Sequence, residues 1–147
     1  MQSFLAKIAA LDCGWNEVSL TEEMFYDLCG RLGIIVKVIQ MSKRGFYSCR
    51  RKKHYITVNA RLRGDRLIFT LFHELGHYIM HSPSTDTINA DCDAEKTSRD
   101  EQEADAFAYC AMLPLTLLRT RPGEELADTY GMTFFMRRLE VYERYGI

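Results

Sequence analysis

The sequence lacks the features that mark secreted, membrane-spanning and nucleic-acid-binding proteins. Its five cysteines are odd in number and include no C-x-x-C pair, which argues against a disulfide framework and favours a reducing compartment. No apolar run is long enough to cross a bilayer, and no repeat or low-complexity segment occurs. The formal net charge of −1 gives no general attraction for nucleic acid. We therefore predict a cytoplasmic protein without membrane or direct nucleic-acid partners.

What the sequence does contain fits one folded domain. Its 147 residues are 47% hydrophobic and 27% charged, which is ordinary for a globular protein and sufficient for a substantial core. We predict a single domain over 1–147, with a core over about 20–118 and a C-terminal helical part over about 122–147.

Hydrophobic periodicity predicts a mixture of helices and strands. Strands are expected where β-branched residues are frequent, and helices where apolar residues recur three and four positions apart. The predicted order is a helix over 21–31, strands over 34–39, 45–49 and 54–58, a long helix over about 65–82, a polar loop over 84–99, a helix over about 100–113, and two short helices within 124–145. This order indicates an α+β fold.

The strand that leads into the long helix has two interpretations. Its last residues, 56–59, run directly toward that helix. They could present an exposed edge that pairs with an extended peptide, or they could form an ordinary strand within a sheet.

The most informative feature is the run His73-Glu74-Leu75-Gly76-His77 inside the long helix. Residues four apart share one face of a helix, so His73 and His77 can bind one metal ion together. Glu74 lies beside them, where it can take a proton from a metal-activated water, as in the H-E-x-x-H arrangement of zinc hydrolases. Buried histidines and a buried glutamate need partners in an apolar helix. We predict one Zn2+ per chain, held by His73 and His77, with Glu74 as the catalytic base.

A third ligand must come from another part of the chain. Catalytic zinc commonly takes three protein ligands and keeps a fourth position for water. We favour Glu101, because it shares a helical stripe with Ala104, Asp105 and Ala108, and the two alanines permit close packing against the motif helix. Asp105 can accept the ring N–H of a ligand histidine. Glu103 lies about 200° around the helix and remains the alternative ligand.

Further side chains are candidates for supporting roles. His81 lies one turn beyond His77, where it could assist catalysis or bind the last carbonyls of the helix. Sites of this kind commonly contain an oxyanion donor, for which the candidates are Tyr78, Tyr109, Tyr130, His54 and His81. A further hypothesis is that the Cys92 thiolate occupies the open zinc position and silences the site.

These motifs together resemble the ImmA/IrrE family of metallopeptidases. The resemblance is carried by the run from His73 to His81, by Glu101 to Ala108 and by Met112-Leu113-Pro114. Segments 32–34, 45–47, 56–59, 66–70 and 126–133 are also similar to the family. Two features depart from its pattern. Phe72 precedes the first histidine where many relatives have a small residue, and no helix-turn-helix or sensor domain is fused to the core.

The resemblance, which covers about Glu22 to Pro114, implies a fold and a function. The fold is a small zincin-like metallopeptidase domain, in which a three-stranded sheet packs on the motif helix and a second ligand-bearing helix, with helices at the C-terminus. The function is that of an intracellular zinc endopeptidase. Its substrate would be a regulatory protein, such as a helix-turn-helix repressor of a phage, mobile element or stress response, or an antitoxin-like regulator.

Two other functions compete with this interpretation. In one, the domain is a non-catalytic anti-repressor that binds its partner and carries a structural zinc site. In the other, the helices around Gly131 bind DNA, but the sequence provides no basic surface for that purpose.

Overall fold

A computed structural model describes residues 2–81 and 97–147. Its elements in chain order are α1 (Gln2–Ala9), α2 (Glu22–Leu32), β1 (Ile34–Ile39), β2 (Gly45–Arg50), β3 (Lys53–Asn59), α3 (Gly64–His81), α4 (Ser98–Met112), α5 (Leu115–Thr120), α6 (Gly123–Tyr130) and α7 (Met132–Tyr145). The chain therefore has the α+β architecture that the sequence indicates. Most of the predicted polar loop, with Cys92, lies outside the described residues. No helix in the described ranges is long and apolar enough to cross a membrane.

Helix α2 shows why the first predicted boundaries are accurate. Thr21 has extended backbone angles, and its hydroxyl accepts the N–H of Met24 at 3.2 Å, which begins the helix. Gly33 ends it with φ of 71°, a left-handed conformation that glycine adopts without steric cost. The next six residues form β1, as their β-branched composition predicts.

The sheet has the order β1-β3-β2, so β3 is the central strand. It pairs with β1 in parallel (Val36 opposite Ile56) and with β2 in antiparallel orientation (Tyr47 opposite Ile56). Ile56 and Val58 of β3 are fully buried. The interpretation of 56–59 as an exposed edge is therefore wrong, because both sides of that strand already pair with neighbouring strands.

Helices α3 and α4 pack against each other at very short distance. A Cβ atom placed on Gly76 would lie 3.3 Å from Cα of Ala104 and 3.2 Å from Cβ of Phe107. Ala104 and Ala108 are fully buried, as expected for small residues between two closely packed helices. This close approach allows side chains of the two helices to meet.

Two helices were not predicted from the sequence. Helix α1 is short, but Phe4 and Ile8 are buried, and the segment after it carries Trp15. The Trp15 indole N–H donates to the backbone oxygen of Phe107 at 3.0 Å, and its ring stacks on the Phe107 ring at 5.5 Å. Helix α5 has only six residues after Pro114. Tertiary contacts of this kind stabilise helices whose local sequence signal is weak.

The C-terminal part contains the two predicted helices, α6 and α7. They meet at Gly131, whose φ is 91°. Phe134 packs against the rings of Tyr109 and Tyr130, with ring centroids 4.9 Å and 5.5 Å apart. Helix α7 therefore covers the side of α4 that bears Tyr109, and Phe134 packs between the two helices.

Candidate metal centre

Helix α3 brings the two motif histidines together. His73 and His77 lie four residues apart on one face, and their Nε2 atoms are 3.1 Å apart. Both side chains are buried, with only 1% of His77 exposed. Glu74 is also buried, with 4% of its surface exposed. These three polar side chains therefore lie on the buried part of the helix.

Helix α4 adds a carboxylate to this pair. Glu101 Oε1 lies 3.1 Å from His77 Nε2, and Glu101 Oε2 lies 3.3 Å from His73 Nε2. The position of Glu101 follows from a capping box, in which the Thr97 hydroxyl accepts the Asp100 N–H and the Asp100 carboxylate accepts the Thr97 N–H. This motif starts α4 at Ser98, two residues earlier than predicted, and places Glu101 in its first turn.

The alternative ligand, Glu103, does not join this cluster. Its Oε2 lies 3.2 Å from His81 Nε2, and its Oε1 accepts the Arg99 Nε–H at 2.8 Å. Burial raises the pKa of this carboxyl, but the hydrogen bonds from Arg99 and His81 outweigh that effect, so the pKa lies below its ordinary value. Glu103 is thus an ionised partner of His81.

Asp105 contacts the other ring nitrogen of His73. The distance from Asp105 Oδ1 to His73 Nδ1 is 2.8 Å. An ionised carboxylate can only accept hydrogen bonds, so Nδ1 of the neutral His73 ring carries the hydrogen. The lone pair of His73 is then on Nε2, which faces His77 and Glu101.

The same reasoning applies to His77, whose partner is His81. Their Nδ1 atoms are 3.1 Å apart, and His81 Nε2 lies 3.2 Å from both Asp100 Oδ1 and Glu103 Oε2. The sequence left His81 between an assisting role and a role in binding the last helix carbonyls. In the structure its ring lies between His77 and the two carboxylates. Asp100 was not among the residues predicted for the site, although the Thr97-x-x-Asp100 capping pattern could have located it.

The donor atoms fit a divalent metal ion. His73, His77 and Glu101 each offer one ligand atom, and these atoms all lie within 4.8 Å of one another. Two imidazole lone pairs and a carboxylate at 3.1–3.3 Å would repel each other without a cation between them. Tetrahedral coordination with bonds of about 2.0–2.1 Å places ligand atoms roughly 3.3–3.4 Å apart, close to these distances.

Among residues 2–81 and 97–147, one side of the cluster is open. The histidines are buried, but 46% of the Glu101 side chain and 47% of the Asp105 side chain are exposed. A cavity of about 410 Å³ lies beside Asp105 and is also lined by Tyr109 and Arg137. A closed structural site would be covered by protein, whereas this arrangement leaves room for solvent or a substrate next to the ligand atoms.

The structure separates the candidate oxyanion donors. Tyr109 lines the cavity beside Asp105, and its ring packs against Phe69, which in turn contacts the His73 ring. Burial, followed by the charge of Asp105, raises the Tyr109 pKa, so the phenol keeps its hydrogen.

The remaining candidates have other partners. The Tyr130 hydroxyl donates to the backbone oxygen of Met112 at 3.1 Å. His54 Nδ1 lies 2.6 Å from the Tyr47 hydroxyl, and Tyr78 packs edge-on against the His54 ring. Tyr109 is the candidate whose position best suits a role beside the cluster.

The fold and the site together define a class of protein. A mixed sheet, a buried helix with the H-E-x-x-H motif and a following helix that presents a glutamate to both histidines are the features of a zincin-like metallopeptidase. The sequence matches the family model of the IrrE N-terminal-like domain, Peptidase_M78, over residues 29–144. The chain therefore belongs to the ImmA/IrrE family of peptidases. A comparison with curated proteins finds no match.

Proposed function

We propose that this protein is a zinc-dependent endopeptidase that cleaves a regulatory protein. The observation that carries the proposal is the convergence of His73, His77 and Glu101 on one point that is open to solvent on one side. Membership of a peptidase family supports hydrolysis of a peptide bond as the reaction.

The chemistry is divided between a metal and the side chains around it. A zinc ion in this site would supply Lewis-acid chemistry, which makes water nucleophilic near neutral pH and polarises a peptide carbonyl. Glu74, which directly follows His73 in α3, takes the proton of the attacking water and delivers it to the leaving amine. Tyr109 donates its hydroxyl hydrogen to the oxygen on which negative charge develops. Asp105 keeps the lone pair of His73 directed at the ligand cluster.

The substrate binds along β2 in this proposal. Within the described residues, β2 pairs with β3 on one side only, so its outer edge can accept an extended peptide. The beginning of this strand lies against the motif helix, because a Cβ on Gly45 would be 3.0 Å from Thr70 Cγ2, less than one turn before His73. By contrast, β1 lies on the far side of β3, next to α2.

The proposed substrate is a transcriptional repressor or an antitoxin-like regulator. The support is the family resemblance of the motifs, since the chain carries the H-E-x-x-H helix and the glutamate helix that define such peptidases. The non-catalytic anti-repressor function predicts a different outcome, namely stable binding of the same partner without cleavage.

The test compares the wild type with two conservative substitutions at the site, Glu74→Gln and Glu101→Gln. Freshly purified protein should contain about one zinc per chain by elemental mass spectrometry. The substrates offered are the products of adjacent genes, and cleavage is read by intact mass. Glu74→Gln should keep its zinc and its fold but lose about 10²–10⁴ in cleavage rate, because the base is gone. Glu101→Gln should lose zinc as well as activity.

The matched control is Glu124→Gln, which changes an exposed glutamate at the start of α6. It should leave zinc content and cleavage unchanged. Cleavage by Glu74→Gln at the wild-type rate would refute the proposed mechanism. A partner that co-purifies uncut with the zinc-loaded wild type would support the anti-repressor function instead.

A further inference from the structure

His81 is a polar side chain near the cluster that the proposed reaction does not use. It lies at the end of α3, one turn after His77, and only 19% of its side chain is exposed. Both ring nitrogens have polar partners within 3.2 Å, which are His77 on one side and Asp100 with Glu103 on the other. A half-buried ring with partners at both ends has a defined orientation.

The partners of His81 decide where the hydrogens lie. Asp100 Oδ1 and Glu103 Oε2 both lie 3.2 Å from His81 Nε2, and carboxylates near neutral pH can only accept hydrogen bonds. Nε2 of His81 therefore carries the hydrogen, and Nδ1 of the neutral ring is an acceptor. The neighbouring Nδ1 of His77 must then donate, which leaves the His77 lone pair on Nε2. That atom faces His73 and Glu101.

We propose that His81 is a positioning residue, which holds His77 in the tautomer and ring orientation that bind the metal and relays the acceptor strength of Asp100 and Glu103 to it. This inference rests on the proposed metal site but adds a role for a residue outside the ligand set. His73 receives the equivalent support directly from Asp105. Both ligand histidines are thus anchored to carboxylates of α4, one directly and one through a second imidazole.

The antiparallel arrangement of the two helices explains this difference. Along α3 the histidines occur at 73, 77 and 81, and their α4 partners run the opposite way along the chain, from Asp105 to Glu101 and then to Asp100. Because the Glu101 carboxylate lies at Nε2 of His77, it cannot also accept from Nδ1 on the other side of the same ring. A further group is needed there, and His81 provides it.

The test measures metal affinity and the tautomer of His77, so it does not depend on activity. Zinc affinity is determined by competition with a chromogenic chelator. His81→Phe, which keeps a ring but has no acceptor, should bind zinc about 10–100-fold more weakly. His81→Asn should recover part of this loss, because Oδ1 can accept from His77 Nδ1. His54→Asn removes a histidine from a different cluster and should leave the affinity unchanged.

The second measurement uses the metal-free protein. Nitrogen chemical shifts of the imidazoles should show hydrogen on Nδ1 of His77 in the wild type and a mixture of tautomers in His81→Phe. If His81→Phe does not fold, the proposal is tested by the zinc affinity of His81→Asn and by the tautomer of His77 in the wild type. Wild-type affinity in both His81 variants, or a His77 Nδ1 without hydrogen in the wild type, would overturn the proposal.

The outcomes also separate this inference from the proposed function. A wild type that binds zinc but cuts nothing contradicts the peptidase and leaves the role of His81 measurable. A wild type that binds no zinc contradicts the metal site, and the tautomer of His77 then tests His81 alone. Full cleavage with unchanged zinc affinity in His81→Phe contradicts only the positioning role.

Discussion

The hydrogen that each buried imidazole carries follows from its partner. Nδ1 of His73 faces the Asp105 carboxylate, and Nδ1 of His77 faces the ring of His81. In the proposed tautomers, the Nε2 lone pairs of both ligand histidines then point at each other and at Glu101. His54 has a different kind of partner, because its Nδ1 lies 2.6 Å from the Tyr47 hydroxyl, a group that can both donate and accept.

His54 should make the unfolding free energy depend on pH. Burial lowers its pKa below the ordinary value of about 6.5, because the charged ring is poorly solvated in this position. At pH values between the His54 pKa of the folded protein and about 6.5, the unfolded chain binds more protons than the folded protein. The free energy of unfolding therefore decreases as the pH falls through this range, whereas above about 6.5 His54 makes no pH-dependent contribution. Urea unfolding of the metal-free protein across that range measures the effect.

His54→Asn provides the comparison for that measurement. It keeps an acceptor near Tyr47 but does not titrate, so the decrease in stability toward acid should be smaller than in the wild type. Contributions of His73 and His77 are common to both proteins and cancel in the difference. Identical pH profiles for the two proteins would show that the His54 pKa is not lowered by folding.

At the scale of elements, the metal site depends on how closely α3 approaches α4. Gly76 lies between the two histidines in sequence, and its missing side chain allows the backbone of α4 at Ala104 to come near. Glu101 reaches both Nε2 atoms only because of this spacing. A glycine inside a helix normally costs about 1 kcal/mol relative to alanine, which the close packing here offsets.

Gly76→Ala should therefore destabilise the protein and weaken metal binding. The new Cβ would lie 3.2–3.3 Å from Phe107 Cβ and Ala104 Cα, atoms that belong to another helix and cannot rotate away. We expect a loss of about 1–3 kcal/mol in the free energy of unfolding, measured by urea titration, together with a weaker zinc affinity.

The matched control for this change is Gly30→Ala in α2. A Cβ at Gly30 meets no atom within 4 Å, and the residue is exposed. This variant should be more stable by about 0.5–1 kcal/mol, because alanine favours the helix and restricts the unfolded chain. If both variants were stabilised equally, the close approach of α3 and α4 would not need a glycine.

At the scale of the whole molecule, Arg138 connects distant parts of the chain. It is completely buried on α7, and its guanidinium donates to the backbone oxygen of Leu113 at 2.6 Å, to Ile147 O at 2.9 Å and to Asn16 Oδ1 at 3.0 Å. Asn16 Oδ1 also accepts the N–H of Leu115 at 2.9 Å. One side chain thus joins the segment after α1, the end of α4 and the last residues.

Arg138→Met should lower the free energy of unfolding by about 2–4 kcal/mol. The substitution keeps the apolar stem but leaves buried acceptors without their donor. Urea denaturation of the metal-free protein measures the change. Arg137→Met is the neighbouring control, because Arg137 is 60% exposed and pairs with Glu140 at the surface, so its loss should cost much less than the loss of Arg138. A similar small effect for Arg138→Met would contradict the connecting role.

Local patterns were sufficient for most of the fold. The capping residues of α2, the β-branched strands, and the long apolar helix with its motif lie within short stretches of chain, so their structure follows from nearby residues. Helices α1 and α5 were missed because they are short and depend on contacts with distant segments, since α1 packs against α3 and the Leu115 N–H at the start of α5 donates to Asn16 Oδ1. The exposed-edge interpretation of 56–59 is wrong, whereas its alternative, an ordinary strand within a sheet, is confirmed, because strand order depends on pairing between segments that are distant in sequence.

For the site, the sequence by itself determined the spacing of His73, Glu74 and His77, because a helix places residues four apart on one face. It also favoured Glu101 from its helical stripe. Only the tertiary structure decided that Glu101 meets both histidines, that Glu103 turns instead to His81, and that His81 contacts His77. The physical reason is that helical periodicity is set by the local backbone, whereas the angle and distance between α3 and α4 depend on Gly76, Ala104 and the packing of both helices at once.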